Sequence, residues 1–110
     1  MNEISLIRGD TESIKVQFVK GGSEHRPNDL KDGDILTFTM RDVVRENAVL
    51  VKKITIPEMI FNLTHDDTKR LIDKRYDFDI EYRTEDKSVV KTLVIGKATV
   101  RKDVTYDENC

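Results

Sequence analysis

The chain of 110 residues is poor in cysteine, tryptophan and proline, with one cysteine, no tryptophan and two prolines. Its only cysteine, Cys110, excludes an internal disulfide and a metal site made of cysteine thiolates, and it is typical of a protein that folds in a reducing cytosol. Without tryptophan, an exposed aromatic platform for sugars or single-stranded nucleic acid would have to come from a few phenylalanine and tyrosine residues.

The sequence also lacks long apolar runs and blocks of one charge. No run approaches the roughly 20 apolar residues of a membrane-spanning helix. The first residues, Met1–Ile4, have neither the basic region nor the apolar region of a signal peptide. Nineteen basic and 21 acidic residues are interspersed and give a net charge of −2, which argues against a nucleic-acid-binding surface.

Catalytic and cofactor-binding motifs are missing as well. The sequence contains no glycine-rich phosphate loop, no nucleophile elbow and no H-x-x-x-H pair. His25 and His65 have no cysteine, second histidine or carboxylate at the spacing of metal ligands. The sequence therefore predicts a protein that is not an enzyme and that binds no cofactor, metal ion or small-molecule substrate.

What the sequence does contain is alternation of apolar and polar residues, the pattern of half-buried β-strands. The pattern predicts seven strands. Two are given by their bounds, Val49–Thr55 and Val89 to about Val104. The other five are given by their inward-facing residues: Ile4 and Leu6; Ile14, Val16 and Phe18; Leu36, Phe38 and Met40; Met59, Phe61 and Leu63; and Tyr76, Phe78, Ile80 and Tyr82.

The segments between these strands are less regular. Glycine and proline mark the stretch from Lys20 to Asp34 as a loop, in which Leu30 is expected to contact the core. The segment Met40–Val51 also fits a helical spacing, but its β-branched residues favour strand–turn–strand. One short helix is predicted near residues 65–72, with Thr64 capping the amide of Asp67.

The predicted fold is an all-β, immunoglobulin-like antiparallel β-sandwich of about seven strands. The short helical crossover before a strand that begins with Tyr76 favours this version, and the Tyr76 hydroxyl is expected to hydrogen-bond the backbone at that corner. A single domain is expected over residues 1–110, with an ordered core at about 4–105 and a polar tail. Leu71 and Ile72 are expected to face inward.

Nearly all aromatic residues fall on the inward side of the predicted strands. Only Tyr106 is expected to lie outside, so the sequence predicts no exposed platform for stacking sugars or bases. The inward set is Phe18, Phe38, Phe61, Phe78, Tyr76 and Tyr82.

Three acidic residues, Asp77, Asp79 and Glu81, share the outward face of one strand. Carboxylates at this spacing extend over roughly 13 Å along a strand, whereas the oxygen ligands of Ca²⁺ lie within about 2.6 Å of the ion. Cross-strand ion pairs explain them better, because the last strand offers Lys91, Lys97 and Arg101.

Two further features have alternative interpretations. Arg8-Gly9-Asp10 is the integrin-binding tripeptide, but Gly9 stands where the first strand must turn, which favours a strand-end turn. Leu93 and Ile95 share the parity of the charged Lys91. Either the last strand twists and buries both faces, with a β-bulge or bend at Gly96, or these two residues form an apolar patch that contacts a partner chain.

Five stretches taken in order carry a resemblance to a known family. They are Ile7–Thr11 with the strand after it, Leu63–Thr68 with Leu71, Tyr76–Ile80, Thr92–Gly96 and Val100–Thr105. In this order the chain resembles small structural domains of tail and baseplate proteins in bacteriophages of Gram-positive hosts, and it is similar to the N-terminal domain of baseplate upper proteins. Lys74-Arg75 stands where that family has glycine, and no long receptor-binding part follows.

The resemblance implies a virion structural protein of the tail or baseplate, made in the cytoplasm of the bacterial host. It implies docking onto other virion proteins and self-association into a ring, without nucleic acid or membrane as partners. Under this interpretation Leu93 and Ile95 are the candidate interface residues. The alternative hypothesis is an immunoglobulin-like ligand-binding or adhesion module that belongs to a larger surface protein.

Overall fold

The structure is a computed structural model that describes residues 2–16, 19–20, 23–24, 30–44, 47–72 and 74–101. Most of these residues lie in extended segments, because apolar and polar residues alternate along them. The strands and the helix are β1 Asn2–Ile7, β2 Glu12–Lys15, β3 Val19–Lys20, β4 Ser23–Glu24, β5 Ile35–Arg41, β6 Ala48–Thr55, β7 Ile60–Leu63, α1 His65–Lys69, β8 Arg75–Arg83 and β9 Val90–Arg101.

The strands form two packed layers. Five of them make one sheet in the order β1-β9-β8-β5-β6, while β2 pairs with β7 in a second sheet. The Phe38 ring on β5 lies 5.8 Å from the Phe61 ring on β7 and 5.5 Å from the Phe78 ring on β8. Aromatic contacts between the two inner faces are what closes a sandwich core. The all-β sandwich predicted from the alternation is confirmed.

The pairing of β1 differs from the all-antiparallel prediction. β1 lies parallel to β9, with Ile4 opposite Ala98 and Leu6 opposite Val100. A tight hairpin forces antiparallel neighbours, but β1 and β9 come from opposite ends of the chain and no hairpin joins them. The order β1-β9-β8-β5-β6 against β2-β7 is otherwise compatible with the immunoglobulin-like connectivity that the sequence predicts.

The predicted inward residues form the core. Leu30 is buried although it belongs to a loop, and Leu71 is buried after the helix, as expected. Ile72 is 56% exposed, so its predicted inward orientation is wrong. The helix ends at Lys69 and the Leu71 amide closes a turn on the Thr68 carbonyl, so Ile72 no longer follows the helical spacing on which its prediction depends. The buried apolar set is Leu6, Val16, Leu30, Leu36, Phe38, Met40, Leu50, Ile56, Phe61, Leu63, Leu71, Tyr76, Phe78, Ile80, Tyr82, Ala98 and Val100.

The short helix α1 begins as its sequence predicts. The Thr64 side chain accepts a hydrogen bond from the Asp67 amide at 3.1 Å, and the Asp67 carboxylate accepts one from the Thr64 amide at 2.8 Å. This reciprocal capping box satisfies two amides that a helix end otherwise leaves unpaired. The strand–turn–strand interpretation of residues 40–51 is also confirmed, because β5 ends at Arg41 and β6 begins at Ala48.

Two predictions about irregular segments come out differently. The predicted loop after Lys20 contains a small antiparallel pairing, with Val19 opposite Glu24 and Lys20 opposite Ser23. Such short strands around two glycines leave no alternation for the sequence pattern to show. The predictions made for Phe18, His25, Tyr106 and Cys110 lie outside the described residues.

A tyrosine corner joins the helix to β8, as the sequence predicts. The buried Tyr76 hydroxyl accepts a hydrogen bond from the Ile72 amide at 3.0 Å and donates one to the Ile72 carbonyl at 3.3 Å. One hydroxyl therefore pairs both backbone groups of a residue that lies outside regular secondary structure.

Candidate interaction surface

The five-stranded sheet has a stepped edge. β9 extends from Val90 to Arg101, but β1 pairs only with its second half, from Asn2 opposite Gly96 to Ile7 opposite Arg101. Among the described residues, the first half of β9, Val90–Ile95, is therefore paired on one side only, with β8. We call Val90–Ile95 the open edge.

On the open edge, the backbone groups of alternate residues point away from β8. The Arg101 carbonyl accepts a hydrogen bond from the Arg8 amide at 2.8 Å, which places the backbone groups of Arg101 on the β1 side of β9. Counting back in steps of two puts those of Ile95 on the same side, where the register of β1 gives its carbonyl the Asn2 amide as donor and leaves its amide without a strand partner among the described residues. At the other end, the Val89 carbonyl accepts from the Thr84 amide at 3.1 Å and faces β8, so the groups of Val90 point to the open side.

The phase change in β9 comes from a bulge that lies before Gly96. Ile80 is opposite Val94 and Glu81 is opposite Thr92, so Leu93 is an extra residue on β9. Gly96 itself pairs in register with Phe78, and the predicted bulge at Gly96 is therefore placed too late in the chain. The bulge lies in the half of β9 that has β8 as its only neighbour among the described residues, and bulges are common at such sheet edges.

The bulge separates the two residues that the sequence singles out. Leu93 is partly buried and packs with Val94 against the core, whereas Ile95 lies on the outer face and is 63% exposed. Val90 shares the outer face at the other end of the open edge and is 51% exposed. The structure thus places Ile95 and Val90 together on one surface and gives Leu93 a different environment.

Val90 is the surface residue that sequence reasoning missed. The alternation assigns it to the last strand, but its exposure depends on where β1 stops along β9. The only signal in the sequence is the run Val89–Ile95, which is rich in β-branched residues and contains one charge, Lys91.

The acidic residues on the outer face of β8 pair with basic side chains. Lys97 contacts Asp77 as predicted, while Asp79 lies 3.9 Å from Arg41 and Glu81 lies 3.1 Å from Arg83. The predicted roles of Lys91 and Arg101 as partners are not observed among the described residues. The bulge explains why Lys91 does not face an acidic residue of β8, because it places Lys91 opposite Tyr82.

The Asp79 side chain is partly buried on this outer face. Burial raises the pKa of its carboxyl above the ordinary value of 3.8, and Glu81 adds to this, while Arg41 counteracts it only in part. Asp79 is opposite Ile95 in the pairing of β8 with β9.

The Arg8-Gly9-Asp10 turn is held by the helix, which confirms its interpretation as a strand-end turn. Gly9 has φ of +91°, the left-handed region that favours glycine, and the Asp10 amide donates to the Ile7 carbonyl at 3.1 Å. The buried Thr68 hydroxyl accepts from the Gly9 amide at 3.0 Å and donates to the Asp10 carbonyl at 2.7 Å. The imidazole of the exposed His65 is hydrogen-bonded to the Gly9 carbonyl.

A polar depression lies at the end of the sandwich where β5 begins and β8 ends. The Asp34 carboxylate is buried there and accepts hydrogen bonds from the Tyr82 hydroxyl and the amides of Lys31 and Glu85. The bond from Tyr82, together with these amides and against the effect of burial, lowers the pKa of Asp34. With its oxygens bound by three donors, Asp34 connects two loops and is a structural residue.

Within the described ranges, no group of three or more His, Cys, Asp or Glu side chains could hold a metal ion. No helix among these residues is long and apolar enough to cross a membrane. In comparisons with known proteins, no family model matches the chain, and no curated protein gives a significant match.

Proposed function

We propose that this chain is a non-enzymatic structural protein of a bacteriophage virion, part of the tail or baseplate, that acts through protein–protein contacts. The observation that carries the proposal is the open edge, where unpaired backbone groups and exposed aliphatic side chains occur together. Sheet edges can bind additional strands, and many proteins blunt them with charge, proline, β-bulges or a covering loop. The open edge carries one charge, Lys91, and the bulge at Leu93, and it still exposes aliphatic side chains.

The composition of the open edge supports a contact function. Lys91 is its single charged residue, and it contains no proline. Val90 and Ile95 expose aliphatic surface on the outer face, and the half-buried Leu93 and Val94 lie beneath on the inner face. A strand added beside β9 would gain main-chain hydrogen bonds and would cover side chains on both faces.

The roles of the polar side chains agree with a non-enzymatic protein. Asp34, Thr68 and His65 hydrogen-bond loops to the sandwich. The acids on β8 pair with neighbouring bases. Groups that would otherwise be candidates for acid–base chemistry are thus engaged in holding the fold together.

The virion assignment follows from the resemblance of the five ordered stretches between Ile7 and Thr105 to tail and baseplate domains. A virion component repeats the same contact many times, so one modest sheet-edge contact per subunit suffices once the assembly closes into a ring.

The test is the presence of the protein in virions. Phage particles from the strain that encodes the gene would be purified by density gradient, analysed by mass spectrometry and labelled with an antibody against this protein. We expect a stoichiometric band and label on the tail. Absence from intact infectious particles would overturn the virion assignment, and a parent protein with a secretion signal and repeated copies of this domain would favour the adhesion module instead.

A further inference from the structure

We draw no further inference here: the strongest candidate, the surface patch at the open edge of β9 where Val90 and Ile95 expose aliphatic side chains on the outer face of the five-stranded sheet, belongs to the site already described, and nothing among the residues that the structure describes shows what covers it.

Discussion

At the scale of single residues, Tyr76 illustrates how one side chain serves two needs of the fold. Its ring is buried in the core, while its hydroxyl pairs both backbone groups of Ile72. The inward parity of Tyr76 and its place after a short helix are visible in the sequence. The orientation of the neighbouring Ile72 is not, because it depends on how the chain leaves the helix.

We predict that Tyr76→Phe lowers the free energy of unfolding by about 1–2 kcal/mol, because it leaves the Ile72 amide and carbonyl without their partner while the ring still fills the core. Urea denaturation followed by circular dichroism measures the change. Ile72→Val is the control, since its side chain is exposed and its backbone groups remain. Equal stability of Tyr76→Phe and the unmodified protein would contradict the role of the hydroxyl.

Among the residues that the structure describes, Asp86 is the one whose pKa the fold shifts most. Hydrogen bonds from the Ser88 hydroxyl at 2.7 Å and amide at 2.9 Å, with one from the Thr84 hydroxyl at 2.8 Å, lower its pKa from 3.8 to about 2. The lowered pKa means that folding favours the ionised carboxylate. Its contribution to stability is present above pH 3.8 and is lost as the pH falls through 2.

We predict that an NMR titration of the folded protein gives a pKa for Asp86 near 2, and that Ser88→Ala raises it toward 3.8 by removing the strongest donor. Ser13→Ala, in which the lost hydroxyl bonds Asn62 instead, should leave the Asp86 titration unchanged. A pKa for Asp86 near 3.8 in the unmodified protein would show that these hydrogen bonds do not form.

At the scale of elements, helix α1 is short but connects distant parts of the chain. Its capping box fixes the first turn, and Thr68 in the next turn holds the Gly9–Asp10 turn from the other end of the sequence. Burial by itself raises the pKa of Asp67, but the ion pair with Lys52 at 2.6 Å and the Thr64 hydrogen bonds together lower it. The capping box is local and was therefore predictable, whereas the contacts of Thr68 and Lys52 required the tertiary fold.

We predict that Thr64→Ala destabilises the protein by about 1 kcal/mol through loss of the cap, while Thr64→Ser, which keeps the hydroxyl, costs only a few tenths. Thermal or urea unfolding of both variants measures the difference. Identical unfolding of the alanine and serine variants would contradict a contribution of the cap to the stability of the whole sandwich.

At the scale of the whole molecule, the central feature is the unequal length of two neighbouring strands. β9 continues past the end of β1, and that difference exposes the open edge. We predict that the Ile95 amide exchanges with deuterium much faster than the Thr99 amide. Both residues face the same side of β9, but only Thr99 has β1 beside it.

Hydrogen exchange followed by NMR measures this contrast. Equal protection of the two amides would contradict the open edge, because it would show that Val90–Ile95 is already covered.

The sequence by itself determined the class of fold, most strand positions, the capped helix and the tyrosine corner. These depend on the alternation of apolar residues and on hydrogen bonds between near neighbours, which are local. Only the tertiary structure decided the parallel pairing of β1, the bulge at Leu93 and the exposure of Val90 and Ile95 on one face. These depend on where strands from opposite ends of the chain begin and end beside each other, and no periodicity within one strand specifies that alignment.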